Sequence, residues 1–290
     1  MPSVASINFC ANSKTNRPKE KKNFKGGFLA MGASTLTSLA FTPVSLLCAK
    51  GLTSPSKNLT PKEIKTLNDD ASDILNKLTN LAQKGVTIEH VDAKDYIDLP
   101  IEGRFSSWIK DQIPINSATK GKNAFFASAT NQVIYNKNKL PLAAFHELGH
   151  AFNFNNSAFW KSMQKMRMPM MGIASIFTLI PAITKNHKAK EGEELTKKEK
   201  FVNGLRNASP FLAAGCYLPM VLEEGMATLR GNKWAKELFG ATSDLAKKVA
   251  KTNRFGFISY SLAAVSVGLA TFVAKKVKDN SDEKRAQKIA

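Results

Sequence analysis

Charge in this chain comes in blocks. Four stretches of at least 16 residues, 26–49, 168–184, 207–222 and 255–274, contain no Asp, Glu, Lys, Arg or His. The first is 24 residues long and the last is 20. About 20 apolar residues are enough to carry a helix across the ~30 Å hydrocarbon core of a bilayer. Both are therefore expected to span, and their Gly, Ser and Thr are compatible with that because a helix keeps its backbone hydrogen bonds internal. The basic region before 26–49 is too long, and its apolar run too extended, for an ordinary cleaved signal peptide, which predicts an uncleaved anchor. Lys275-Lys276 ends the last stretch as an interfacial stop. The middle two are 17 and 16 residues and contain Pro169, Pro181, Pro210 and Pro219. They are short for full spans, so a spanning hairpin, a tilted or re-entrant hairpin and a buried soluble hairpin all stay open.

Between the first and second of these stretches the pattern changes to that of a packed domain. Thr60-Pro61-Lys62-Glu63 reads as a helix start, with Thr as N-cap, Pro in the first turn and Glu three residues on. Ile64, Leu67, Ala71, Ile74, Leu78 and Leu81 then recur at spacings of three and four, the period of a helix with one buried face. Lys84-Gly85 closes it. Residues 86–91 alternate and predict a short strand, and 124–129 and 132–135 flank Thr130-Asn131 as a hairpin. The fold class expected is mainly α with a small β-sheet and about four membrane-associated helices.

Composition narrows the function. The chain has 290 residues, 43% of them hydrophobic, and 42 Lys plus Arg against 23 Asp plus Glu, a net charge of +19. Wholly disordered and collagen-like chains are excluded. Cys10, Cys48 and Cys216 are too few for a disulfide scaffold, and no CxxC pair is present for a cysteine zinc knuckle. The positive charge is dispersed over the segments flanking the apolar stretches, and no basic motif is interleaved with aromatic residues. That composition fits a lipid surface; a nucleic-acid partner is not expected. Both tails lie on the same side whatever the middle hairpin does, and their basic character favours the cytoplasmic side for them.

One motif carries chemistry: His146-Glu147-Leu148-Gly149-His150 is an HExxH sequence. Pro141 precedes it at a first-turn position, and Ala144, Phe145, Leu148 and Ala151 surround it with apolar side chains. Residues four apart share a helix face, so His146 and His150 can turn ring nitrogens to one metal ion. Glu147, one position round, can reach water and take its proton. With four His and thirteen Glu in the chain, chance would produce this motif in roughly two chains in a thousand. A catalytic zinc takes a third protein ligand and leaves a position open. Asn156 stands where a third histidine six residues on would be, and His90 and His187 have no helical partner. A carboxylate is expected instead, and Leu222-Glu223-Glu224-Gly225-Met226-Ala227-Thr228 offers two. Gly225 and Ala227 would let this helix come close to the HExxH helix.

HExxH followed downstream by Glu-x-x-Ala resembles the gluzincin metallopeptidases, and within them the HtpX-like and CAAX-prenyl-protease-like membrane zinc peptidases. Asn123-Ala124-Phe125, the helix Leu142–His150 and the apolar pair between HExxH and the later Glu carry the likeness, which covers about residues 120–230. The resemblance implies a zincin-like domain holding one Zn2+ through His146, His150 and Glu224, with Glu147 as general base in the hydrolysis of a protein or peptide substrate, and an edge strand near 124–128 to receive it. It implies an integral membrane protein: basic tail 1–25, anchor 26–49, catalytic part 50–169, apolar hairpin with basic linker 170–222, third-ligand helix and the rest of the catalytic domain 223–254, transmembrane helix 255–274 and basic tail 275–290. It also implies a cytoplasmic catalytic side, opposite to what the basic tails favour. The family usually has Asp where Thr228 stands. That departure keeps an alternative, a non-catalytic membrane scaffold or adaptor with a degenerate metal site. No oxyanion-stabilising group is identifiable from the sequence.

Overall fold

The computed structural model describes residues 24–100, 102, 106–111, 113–189 and 192–288. The amino-terminal basic tail lies outside them up to residue 23. The chain is mainly helical with one small sheet. Three helical runs are long and apolar enough to cross a membrane: Phe24–Asn58, Ala158–Ile183 and Asp244–Gln287.

The first run is kinked. α1 (Phe24–Ala40) and α2 (Thr42–Thr53) meet at Phe41, because Pro43 lacks the N–H that would continue the ladder and its ring crowds the preceding turn. Most large side chains on α1 face outward, Phe28 at 74% exposure and Leu36 at 69%, as a lipid-facing helix requires. α7 (Ala158–Ile183) is longer than the charge-free stretch 168–184 forecast, because Ser157 caps a polar first half that includes Gln164 and Arg167. Its 26 residues extend about 39 Å. The third apolar stretch, 207–222, does not form a helix of its own. α8 (Lys197–Gly215) ends within it, Cys216 and Tyr217 turn, and α9 (Leu218–Phe239) begins with Pro219 in its first turn. The described residues thus give three apolar helices of spanning length where about four were expected. α10 (Asp244–Gln287) is a 44-residue rod capped by Ser243. It packs against α1, α2, α7, α8 and α9.

The soluble layer follows most of the local signals, but the single helix expected from Thr60 to Gly85 is broken at Thr79, whose backbone is extended. In α3 (Pro61–Asp73) the Thr60 hydroxyl accepts from Glu63 N and the Glu63 carboxylate accepts from Thr60 N at 2.7 Å. A π-turn at Ile74–Leu78 and a 3-10 turn at Ala82–Lys84 lead to Gly85, whose φ of 75° needs a residue without Cβ. Two short helices follow, α4 (Ser106–Asp111) and α5 (Pro114–Thr119). β1 (Thr87–His90) pairs in parallel with β3 (Gln132–Tyr135), and β2 (Phe125–Ala127) pairs antiparallel with β3, so β2 is an edge. The β2–β3 turn carries Asn131 at φ 58°, a conformation asparagine tolerates. The main core, which includes Leu67, Ile74, Val133, Tyr135, Phe145 and Leu148, fills the space between this sheet, α3 and α6 (Ala144–Asn156).

Two glycines set the distance between α6 and α9. A Cβ on Gly149 would lie 2.5 Å from Ala227 O, and one on Gly231 would lie 2.8 Å from Phe145 O. Ala227 takes part in the close approach as expected. Gly225 does not: it faces the Phe257 ring of α10. Gly149→Ala is therefore expected to lower stability by about 1–3 kcal/mol, while Gly204→Ala, with no neighbour within 4 Å, is expected to be neutral or stabilising. Thermal unfolding of the two variants in detergent checks the difference.

Candidate metal centre

The 3-10 turn Pro141–Ala143 feeds into α6, which places His146 and His150 one turn apart on its buried face. Their exposures are 7% and 5%. The two Nε2 atoms lie 2.9 Å apart. Glu224 on α9 brings Oε2 to 3.0 Å from His146 Nε2 and 3.4 Å from His150 Nε2.

The outer hydrogen bonds assign the tautomers of the two rings. His150 Nδ1 lies 2.9 Å from Glu223 Oε1, which can only accept, so this nitrogen is the donor. His146 Nδ1 lies 3.3 Å from Thr228 Oγ1, whose own proton is directed to Asn253 O. In the neutral imidazoles both Nε2 atoms then carry lone pairs. In that form two lone pairs and a carboxylate oxygen face each other in a buried space, and either one added proton or a metal cation satisfies them. The distances fit as well: a triangle with these sides has a circumscribed radius of about 1.8 Å, so one point lies about 2.0–2.1 Å from every donor, the zinc–nitrogen and zinc–oxygen range.

Glu223 is the residue sequence reasoning left as a mere neighbour. It is fully buried and gathers His150, Asn153 at 3.0 Å, Gln164 at 2.6 Å and Arg167 around one carboxylate. Arg167 also reaches Glu224 Oε1 at 2.9 Å. A carboxylate on the outer nitrogen of a ligand histidine fixes the ring and raises its basicity. Asn153 was legible in principle, since 146, 150 and 153 share a helix face. Gln164 and Arg167 lie on α7, and only tertiary packing brings them in. His90 meets the Tyr135 ring edge to face, and His187 lies beside Glu199, so neither joins the site.

Glu147 lies beside the pair. Its carboxylate oxygen and the ring nitrogens of His146 and His150 all fall within 4.8 Å of one another, and among the described residues it has no hydrogen-bond partner. Burial pushes its carboxyl up from the usual range, against the pull of His150 and His146. Burial would also raise Glu223 and Glu224. Glu223 is instead held down to about 2 by His150 and Arg167, and Glu224 is held well below its usual range by His150 and His146. Burial disfavours the His150 imidazolium, but Glu223 and Glu224 outweigh it and raise His150 well above 6.5.

Comparison of the chain with protein-family models, curated proteins and solved structures returns no match.

Two predictions follow from this geometry. With zinc as the probe, Glu224→Gln is expected to abolish stoichiometric metal binding, whereas Glu223→Gln weakens it about 10–100-fold, the range for an outer partner of a metal-bound histidine; metal analysis showing the reverse order exchanges the two roles. A cation must also displace the proton that His150 holds. Zinc affinity is therefore expected to climb with pH past 6.5, at about tenfold per unit for one displaced proton. An affinity already level by that pH contradicts the paired-carboxylate account.

Proposed function

We propose that this chain is a membrane-anchored, zinc-dependent endopeptidase with a zincin-like catalytic domain. The observation that carries the reading is the convergence of His146 Nε2, His150 Nε2 and Glu224 Oε2 with a second acid, Glu147, beside them. Two imidazoles and one carboxylate are a zinc donor set, and three protein ligands leave the fourth position that catalysis requires. A zinc ion held there supplies Lewis acidity, making water a better nucleophile and a carbonyl carbon more electrophilic.

The remaining work falls to the chain. Glu147 accepts a proton from the attacking water at its carboxylate and returns it to the amine nitrogen as the peptide bond breaks. Glu223 and Thr228 keep the rings turned. The edge of β2 supports a peptide substrate: an extended segment can add to it as a further strand, and the Phe126 ring meets Phe154 of α6 with centroids 5.7 Å apart, which ties that edge to the site helix. The three apolar helices support placement as an integral membrane protein. The scaffold alternative draws on Thr228, but its hydroxyl reaches the histidine that the expected Asp would have served.

Glu147→Gln is expected to retain zinc while casein cleavage by the detergent-solubilised full chain falls about 10²–10⁴-fold. Cleavage at the wild-type rate removes Glu147 from the mechanism. A wild type that holds zinc but cleaves nothing returns the chain to the scaffold reading.

A further inference from the structure

Peptide hydrolysis gathers negative charge on the carbonyl oxygen, and the polar groups placed so far already serve the carboxylates and the imidazoles. Arg167 donates through Nη2 to Glu223 and lies against Glu224, and its unpartnered Nε is sealed from solvent. Asn153 and Gln164 donate to Glu223, and Thr228 serves His146.

The chain has four tyrosines, and their surroundings separate them. Tyr96 lies under the Lys120 ammonium, and the Tyr135 hydroxyl donates to Asn68 Oδ1 at 2.8 Å. Tyr217, in the turn before α9, has Cys216 as its ionisable neighbour. Tyr260 is surrounded differently: Glu224, Glu147, Arg167 and Glu223 all lie within electrostatic reach of it.

The register of α9 against α10 explains why. Asn253 Nδ2 donates to Asn232 Oδ1 at 2.9 Å, and Thr228 Oγ1 donates to Asn253 O at 3.5 Å. One turn on, a Cβ at Gly225 would stand 3.3 Å from the Phe257 ring. Positions 253, 257 and 260 share a face of α10, while the facing positions on α9 run backwards from 232 through 228 to 225. The next level places Tyr260 opposite the turn that carries Glu224. Among the described residues its hydroxyl has no hydrogen-bond partner, and it does not belong to the sealed, unpartnered polar atoms, so it faces accessible space.

We propose that Tyr260 is a catalytic residue: its phenol O–H donates a hydrogen bond to the scissile carbonyl oxygen as that oxygen takes on negative charge. This rests on the endopeptidase reading above. The phenol keeps its proton throughout. The new C–O bond comes from water, the proton of that water passes to Glu147, and it leaves on the amine nitrogen when the C–N bond breaks. A donor fixed beforehand at the charge-developing atom is worth about 10²–10³ in turnover. It acts little on the neutral carbonyl, so it changes kcat rather than KM.

The test compares wild type and Tyr260→Phe as zinc-loaded full-length protein in detergent. Three quantities are measured: zinc content, peptide hydrolysis and binding of a phosphonate peptide, whose anionic tetrahedral group carries the charge that the phenol is proposed to meet. Tyr260→Phe is expected to keep its zinc and its KM, lose about 10²-fold in kcat, and bind the phosphonate at least about tenfold more weakly. Unchanged kcat and unchanged phosphonate affinity overturn the proposal. Loss of zinc from the variant also overturns it, in favour of a structural role. A wild type that binds the phosphonate but cleaves nothing defeats the endopeptidase reading alone, and the phosphonate comparison then decides Tyr260 by itself. A wild type that neither binds nor cleaves defeats both.

Discussion

Buried electron pairs need a positive charge, and this structure is organised around three of them. His146 Nε2, His150 Nε2 and Glu224 Oε2 stand within 3.4 Å of one another on buried side chains. An uncompensated buried carboxylate costs several kcal/mol, and Glu223 and Glu224 are two of them side by side. Arg167 and the shared imidazole proton offset that cost in the protein alone, and a divalent cation would take over from the proton. The surrounding hydrogen bonds all serve the same end, because each one turns a lone pair inward and a proton outward.

Holding such a site takes more than its ligands. The backbones of α6 and α9 touch through Gly149 and Gly231, which brings a carboxylate on one helix within reach of imidazoles on the other. Glu223 then ties α6 and α9 to α7 through Asn153, Gln164 and Arg167. Arg167 immediately precedes the charge-free stretch of α7, so a helix apolar enough to cross a membrane carries the cation that steadies the site.

The sequence made local features readable and long-range ones obscure. The Thr60–Glu63 capping box, the strand at Thr87–His90 and the β2–β3 pair were all readable because each depends on residues close together in the chain. His146 and His150 were readable for the same reason, since helix periodicity alone places them on one face. The parallel pairing of β1 with β3 spans about 40 residues, and no local pattern encodes it. The stretch 207–222 misled because freedom from charge does not say whether a helix continues; its break at Cys216–Tyr217 depends on Pro219 starting a new one. Of the Glu223/Glu224 pair, the sequence indicated an acid but not that both serve, one on each ring nitrogen of His150. Tyr260 lies more than a hundred residues from the motif and shows itself only through the register of two packed helices.

α10 has a mechanical consequence. It holds the capping box of the soluble layer through Lys248 and Glu63, joins α9 through Asn253 and Asn232, bonds Thr271 to Thr178 of α7, and ends in the Asp279–Arg206 pair. A single unbroken rod fastened at each of these levels couples the soluble layer to the apolar helices, so a displacement at one end is carried along it to the other.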